Sequence, residues 1–440
     1  MDEALIRLSS VVGPLSCALD LTEGHPMGHA AAACVIGMRL AEAIGLPDEE
    51  RSTVFYALLL KDAGCSANAS AVAHLYGADD QTVKRERRLH EQHQARRLAA
   101  RLSGGPVLAG VPQGPLVQLG AEGVRRLLEL RAERGAQVAR ALGLGREVAL
   151  AVRAVEERWD GSGGPEGLTA AAIPLAARIA ALAQSVEVFN TLNGASYACA
   201  MARTRAGAWF DPDLVRALSG FEEDDAFWRR LDAAPDPVVL LPALEPSAAV
   251  RHVGEDAIDG IAETFAGVVD AKSAYTHGHS RRVARIAAGA ASGLGLAAED
   301  RRDLRRAALL QDLGMLGVSS RILDKPGALR ADERRQLVRH PARTFAVLRR
   351  IDALRPLAHL AAAHHERLDG SGYPRGLTGE DLPFTARLLA VADVCAARTA
   401  DRPHRSALPV DEVLRRLEGE VPRRLDPAAF AAVEAHLLAA

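Results

Sequence analysis

The chain repeats its own pattern, and this repetition constrains its fold more than any other feature. The segments 28–65 and 278–315 match without a gap at an offset of 250 residues. A second match pairs EERWDGSGGPEGLT, from Glu156, with HERLDGSGYPRGLT, from His365, at an offset of 209. The first copy is therefore 41 residues longer between the two matching blocks. A chain that carries one pattern twice is expected to fold into two similar domains.

The domain boundaries follow from where the repeat begins and ends. We predict domains over residues 1–210 and 251–440, joined by a linker over residues 211–250. The linker contains DAAPDPVVLLPALEPS, which is too apolar for a disordered tether. The basic run from Lys84 to Arg101 lies in the longer middle of the first copy. The solvated face of a surface helix explains this run most simply, and docking of a phosphate or a partner is the alternative.

The periodicity within each copy is helical. Aromatic residues make up only 4% of the chain, so leucine, alanine and valine must build the cores, a mixture that favours helices over strands. Apolar residues recur at helical spacing at Val283, Ile286, Ala287 and Ala290. The stretch GSGYPRGLTGEDLP is too rich in glycine and proline to be helical, so it should form a loop between two helices. We predict an all-α fold of two tandem helical bundles.

Charge and cysteine usage exclude several classes of function. The net charge of −2 argues against a large nucleic-acid-binding surface. No uninterrupted apolar stretch is long enough to span a membrane, so we predict a soluble protein without a membrane segment. Five scattered cysteines without a CxxC pair indicate reduced, buried thiols and a cytoplasmic location. They are Cys17, Cys34, Cys65, Cys199 and Cys395.

The second copy contains a set of residues typical of a metal site. Its candidate ligands are His279, Asp312, His340, His364, His365 and Asp393. Imidazole suits Fe, Mn or Zn, and a carboxylate can bridge two ions. A carboxylate such as Asp393, inside the apolar stretch LLAVADVCAAR, is costly to bury unless it is paired or bound to a metal. His340, which precedes a proline, could alternatively be an ordinary residue at the start of a helix.

Four stretches of the second copy together resemble an HD-GYP domain. They are YTHGHSRRVA, AALLQDLGMLGVSSRILDKPGAL, HHERLDGSGYPRGLTGEDLPFTARLLAVADV and DRPHR. The resemblance implies an all-α bundle of the HD superfamily. It also implies a metal-dependent phosphodiesterase whose two or three metal ions activate water against a cyclic dinucleotide, namely cyclic di-GMP. The first copy is then a degenerate relative of the same domain.

The resemblance also assigns roles to individual residues. It places His340, His364 and His365 on one metal ion, His279 and Asp393 on another, and Asp312 between the two. It implies a divalent transition metal, Fe or Mn with Zn as the alternative, and catalytic roles for Asp312 and His365. It places contacts to the substrate at Gly372, Tyr373, Pro374 and Arg402.

Two departures fall at the centre of the site. The name-giving His-Asp pair is here Gln311-Asp312, and the lysine found three residues after that Asp in the family is Met315. An amide is a poorer ligand than imidazole for these metals, and a thioether cannot offset phosphate charge. We therefore expect the metal position served by His340, His364, His365 and Asp312 to be intact and the other to be weakened. Hydrolysis is then expected to be slow, to use a single metal ion, or to be absent.

The first copy departs further at the matching positions. Only His29 and Asp62 clearly remain of the ligand set. The other positions hold Lys61, Val155, Glu156, Gly164 and Gln184. We expect Lys61 to pair with Asp62 or Glu156, and the copy to serve packing or regulation, with a ligand-sensing pocket as the alternative.

Two functions of different classes fit these observations. One is a weakened phosphodiesterase acting on a cyclic dinucleotide. The other is a catalytically inactive module that binds the nucleotide or a signalling protein through the GYP loop. Self-association into a homodimer is compatible with either, and HD-superfamily sites also serve other phosphate esters.

Overall fold

The computed structural model of the chain describes residues 5–89, 115–233, 236–403 and 405–439. It divides into two compact units, residues 1–255 and 256–440. The segment 211–250, predicted above as a linker, falls within the first of these units. The basic run lies outside the described residues from position 90 onward.

The first unit is built from helices and one minimal pair of strands. Its described helices are α1 (Leu8–Thr22), α2 (His29–Ala43), α3 (Asp48–Leu60), α4 (Ala69–Tyr76), α5 (Asp80–Leu89), α6 (Pro115–Ala141), α7 (Arg146–Arg153), α8 (Leu175–Asn193), α9 (Ala195–Thr204), α10 (Pro212–Ser219), α11 (Asp225–Asp232) and α12 (Leu241–Leu244). The strands β1 (Ile6–Arg7) and β2 (His252–Val253) pair antiparallel, with Ile6 opposite Val253.

Among the described residues of the second unit, the regular elements are all helices. Its helices are α13 (Ala257–Asp270), α14 (His279–Gly293), α15 (Ala298–Leu310), α16 (Ser320–Leu323), α17 (Ala331–Leu337), α18 (His340–Leu348), α19 (Ala358–Ala362), α20 (Phe384–Arg398), α21 (Val410–Glu418) and α22 (Pro427–Ala439). A 3₁₀ turn, Leu313–Gly317, follows α15. The predicted all-α class is thus confirmed, and the GYP stretch forms the loop between α19 and α20.

The duplication of the sequence is also a duplication of structure. Helices α3 and α15 begin and end 250 residues apart, and α8 and α20 begin 209 residues apart. Gly28 and Gly278 precede α2 and α14 with φ of 104° and 68°, a left-handed conformation that glycine adopts without steric cost. Each glycine lets the chain turn sharply, so that a histidine becomes the first residue of the following helix.

The predicted apolar stripe is the buried face of α14. Val283, Ile286, Ala287 and Ala290 are all buried.

In the first unit, the segment after α11 packs on α1 and α3. The buried carboxylate of Glu245 accepts hydrogen bonds from the hydroxyls of Ser9 at 2.6 Å and Tyr56 at 2.8 Å. Contacts of this kind place the segment with the first unit.

The five cysteines are free and buried, which confirms that part of the prediction. Among the described residues, none of the helices combines the length and the apolar character that a membrane span requires.

Candidate metal centre

Five separate segments of the second unit meet at one cleft. Helix α14 begins with His279, and Gln311-Asp312 directly follow α15. Helix α18 begins with His340, the pair His364-His365 follows α19, and Asp393 lies within α20. The side chains of His340 and His364 are fully buried, whereas the side chain of His365 is 20% exposed. The fold thus brings together all six residues proposed as ligands, with His365 at the open edge.

Asp312 lies between the two groups of histidines. Its Oδ1 is 3.3 Å from His340 Nε2 and 3.6 Å from His364 Nε2. Its Oδ2 is 3.6 Å from His279 Nε2. The two oxygens therefore face different histidines, which is the arrangement of a carboxylate that bridges two cations.

Asp393 completes the other side of the centre. Its Oδ1 lies 3.1 Å from His279 Nε2 and accepts a hydrogen bond from the amide nitrogen of Gln311 at 3.1 Å. Its Oδ2 lies 3.6 Å from His365 Nδ1. His365 therefore connects the two groups, since ligand atoms of His340, His364 and His365 also lie within 4.8 Å of one another.

The orientation of two histidines tests whether a metal ion fits. Nδ1 of His340 lies 2.8 Å from the carbonyl oxygen of Leu337, and Nδ1 of His364 lies 2.7 Å from that of Ala361. When each Nδ1 donates its proton there, each Nε2 presents a lone pair, yet the two Nε2 atoms are only 3.1 Å apart. Two such lone pairs repel each other unless a cation lies between them. Histidines that bind a metal through one ring nitrogen commonly donate the N–H of the other nitrogen to a backbone carbonyl, as His340 and His364 do here through Nδ1.

The charges of the cluster shift the pKa values of its members. Burial alone would raise the pKa of Asp312, but its contacts with His340, His364 and His279 hold the pKa well below its ordinary value. Burial, and then the neighbouring His364, push the pKa of His365 well below the ordinary range. Burial likewise lowers the pKa of His364. Ionised carboxylates beside neutral imidazoles are the forms that bind metals.

The GYP loop covers the open edge of the cluster. The Tyr373 ring lies 4.7 Å from the His365 ring between centroids, and Tyr373 N–H donates to the His365 carbonyl at 3.2 Å. A Cβ at Gly372 would collide with the backbone of Glu366 and Arg367, so only glycine fits there. Burial raises the pKa of Tyr373 well above its ordinary value, so its hydroxyl remains a hydrogen-bond donor at neutral pH.

The remaining predicted residues lie at the margin of the site. Pro374 continues the loop through a cis peptide bond. Burial and the positive charge of the half-buried Arg402 act to lower the pKa of His279, but the hydrogen bond to Asp393 and the charges of Asp393 and Asp312 raise that pKa above its ordinary value. Met315 is half-buried in the 3₁₀ turn directly after Asp312.

Sequence reasoning did not identify Asp270. Its Oδ1 accepts hydrogen bonds from the N–H of Ser280 at 3.2 Å and from the Ser280 hydroxyl at 2.7 Å. This carboxylate holds the first turn of α14 and thereby the position of His279. The signal was present in the repeat, because the 250-residue offset extends upstream to Asp20. Asp20 holds the first turn of α2 by accepting from the N–H groups of Gly28 and Ala30.

The equivalent place in the first unit is filled by cations. Lys61 pairs with Asp62, which confirms one of the two predicted pairings. The sequence comparison missed Arg131, which lies 209 residues before His340. A Cβ at Gly64 would collide with the carbonyl of Arg131, just as a Cβ at the matching Gly314 would collide with that of His340. Arg131 therefore occupies the place of a histidine ligand.

Arg131 joins three acidic side chains. Its guanidinium lies 3.2 Å from Asp62, 3.0 Å from Glu156 and 3.9 Å from Glu23. Lys84 lies 3.8 Å from Glu23. The cavity lined by Lys61, Arg131 and Glu156 measures only about 10 Å³, which is at the lower limit for a single water molecule.

A metal ion therefore does not fit this first-unit network. Asp62, Glu23 and Cys65 lie close enough to hold one, but fixed ammonium and guanidinium groups already balance the carboxylates. Among the described residues, the cavity at this position also leaves no room for a nucleotide.

Replacement of Arg131 by methionine should destabilise the first unit by about 3–5 kcal/mol, because it leaves buried carboxylates without their counter-charge. Hydrogen exchange of the peptide around Asp62, followed in increasing urea, measures this loss. The matched control is Arg140→Met on the same helix, which removes an exposed pair with Glu133 at 2.8 Å and should cost less than about 1 kcal/mol. Equal stability of the two variants would contradict a role for Arg131 as the internal cation.

Comparisons with known proteins find a matching family and several relatives. The family described as "HD domain" matches residues 115–214 and 263–429. The 3'3'-cGAMP-specific phosphodiesterase 3 of Vibrio cholerae is 37% identical over 97% of this chain and 94% of its own length. A cyclic di-GMP phosphodiesterase of Thermotoga maritima is 34% identical over 37% of this chain and 45% of its own.

A solved structure resembles the chain over its whole length. The crystal structure of a cyclic GMP-AMP specific phosphodiesterase of V. cholerae, V-cGAP3, matches with a TM-score of 0.69 and 34% identity. The match covers 99% of this chain and 98% of the other.

Proposed function

The chain belongs to the HD-GYP group of HD-domain phosphohydrolases, and we propose that its second unit is a metal-dependent phosphodiesterase that opens a cyclic dinucleotide. The observation that carries the proposal is the cluster around Asp312. Its two carboxylate oxygens face different histidines, and the lone pairs of His340 and His364 converge at 3.1 Å.

The assignment of ligands is part of this proposal. His340, His364, His365 and Asp312 would hold one ion, and His279 and Asp393 would hold a second that shares Asp312. A bound divalent ion, Fe or Mn with Zn as the alternative, would act as a Lewis acid and lower the pKa of its bound water.

The surrounding side chains suit a phosphate substrate. His365 is the exposed ligand and therefore lies where substrate arrives. Tyr373, which keeps its proton, can donate to a phosphate oxygen, and Arg402 adds positive charge near His279. Asp312 orients the histidines on both sides of the site and so acts together with His365 in catalysis.

The choice of substrate rests on the relatives. The GYP motif by itself predicts cyclic di-GMP. Of the relatives that match 37% of the chain, two are named for that nucleotide and one for 3'3'-cGAMP. The relative that matches both units is named for 3'3'-cGAMP. We therefore propose 3'3'-cGAMP as the preferred substrate and cyclic di-GMP as the second candidate.

A competition assay tests the preference. With both nucleotides at equal concentration in one reaction, we expect 3'3'-cGAMP to be consumed at least about tenfold faster, since a site that pairs with an adenine edge leaves polar groups unpaired against guanine. Chromatography of the linear products measures the ratio. Consumption at equal rates, or faster loss of cyclic di-GMP, would show that the preference is wrong.

One observation favours a second function, that of a nucleotide receptor or interaction module. Gln311 and Met315 replace the histidine and the lysine of the family motif. A site weakened in this way could still bind the nucleotide while hydrolysing it slowly or not at all. A receptor without catalysis would show no turnover, whereas turnover that disappears in His365→Ala excludes it. A cytoplasmic location, a homodimer and a signalling partner at the GYP loop remain predictions.

A further inference from the structure

The side chain of Gln311 has an unusual environment for an amide. It is fully buried, and its Nε2 donates to Asp393 Oδ1 at 3.1 Å. The same carboxylate oxygen lies 3.1 Å from His279 Nε2. Its other end, Oε1, is buried without a hydrogen-bond partner among the described residues. An unpaired buried acceptor of this kind needs an explanation.

The two ends of the amide suit two different states of the site. While Asp393 lacks a cation, the NH₂ group is the favourable end to point at it. A cation at Asp393 repels that NH₂ group and attracts the oxygen. The terminal torsion of glutamine is soft, so half a turn exchanges the two ends without moving the backbone. Gln311 then presents an oxygen where the family presents an imidazole nitrogen.

This exchange changes the donor set of one metal position. The position beside Asp393 is served by one nitrogen, from His279, and by oxygens of Asp312, Asp393 and Gln311. The other position is served by nitrogens of His340, His364 and His365 and by one oxygen, from Asp312. Carboxylate and carbonyl oxygens suit Mn²⁺ and Mg²⁺, whereas imidazole suits Zn²⁺ and Fe²⁺.

We propose that Gln311 is a metal-selecting ligand, which makes the position of His279, Asp312 and Asp393 selective for Mn²⁺ or Mg²⁺ beside an imidazole-rich position for Zn²⁺ or Fe²⁺. The proposal rests on the metal site described under the proposed function. It recasts Gln311 as a residue that changes which ion is bound, instead of one that only weakens the site.

The experiment compares variants of the full chain. Metal-free protein is incubated with equal concentrations of Mn²⁺ and Zn²⁺, separated from free ions, and analysed by mass spectrometry of the elements. Wild-type protein should retain both metals. Gln311→His should exchange Mn²⁺ for Zn²⁺ and lower the ratio of bound Mn to Zn at least about tenfold. Gln311→Glu, which keeps an oxygen donor and adds charge, should bind Mn²⁺ more tightly in an electron paramagnetic resonance titration.

The matched control is Gln336→His, the same change at an exposed position on α17, which should leave the ratio as in the wild type. An unchanged Mn to Zn ratio in Gln311→His would overturn the proposal. If that variant fails to fold, unchanged Mn²⁺ affinity in Gln311→Glu would overturn it instead.

The outcome is separable from that of the proposed function. If the bound metals change with residue 311 as expected but the protein hydrolyses no cyclic dinucleotide, the proposed function is wrong and the proposed metal selectivity stands. If the protein hydrolyses a cyclic dinucleotide but its ratio of bound Mn to Zn does not depend on residue 311, the metal selectivity is wrong and the proposed function stands.

Discussion

Replacement of His364 by alanine is expected to remove one bound metal ion and to lower turnover of the cyclic dinucleotide at least about 100-fold. His364 is fully buried, its Nδ1 is held by the Ala361 carbonyl, and its Nε2 faces both His340 and Asp312. Alanine leaves no ligand atom there. Elemental analysis of the purified variant and product chromatography measure the two losses.

The control for this variant is His359→Ala. His359 lies on α19, five residues before His364, but is exposed, with its ring against Phe345 at 4.6 Å between centroids. It should keep wild-type metal content and nearly wild-type turnover. Full activity in His364→Ala would mean that the cluster is not the catalytic centre, and circular dichroism would establish that the variant is folded.

The double variant Gln311→His, Met315→Lys is expected to raise turnover about 10–100-fold over the wild type. The imidazole restores a nitrogen ligand beside His279 and Asp393, and the ammonium adds positive charge in the turn that follows Asp312. The increase should be largest with Fe²⁺, because imidazole suits that ion better than an amide oxygen does. Single-turnover rates with Fe²⁺ and with Mn²⁺ measure the effect.

The two single variants separate the contributions. Gln311→His should change which metal supports turnover, whereas Met315→Lys should act through substrate, chiefly on KM. A double variant no faster than the wild type with either metal would show that the wild-type site is not weakened by these two residues.

Much of the site was readable before the fold was known. The six ligand candidates of the second copy follow from residue type and from the resemblance of that copy to an HD-GYP domain. The loss of ligands in the first copy follows from paired positions in the repeat. They could be read because the repeat aligns residue by residue, and because histidine and aspartate in an apolar helix carry a chemical meaning by themselves.

The roles of Asp270 and Arg131 could be assigned only from the structure. Each acts through contacts with a segment that lies far from it in sequence or at a turn. Neither residue type is unusual at its position in the sequence. In the sequence, Arg131 is one more arginine on a long basic helix, and only the packing of α6 against Gly64 shows that it takes the place of His340. Sequence analysis also assigned 211–250 to a linker, whereas Glu245 bonds to Ser9 and Tyr56 of the first unit.

By itself, the sequence determined the duplication, the helical class and the identities of the ligand candidates. Those properties depend on periodicity and residue type, which are local. The tertiary structure decided which charges meet in each copy: histidine lone pairs around Asp312 in the second, and Arg131 with Lys61 around Asp62 in the first. That outcome depends on how helices from distant segments pack, because packing alone sets which side chain reaches a buried carboxylate.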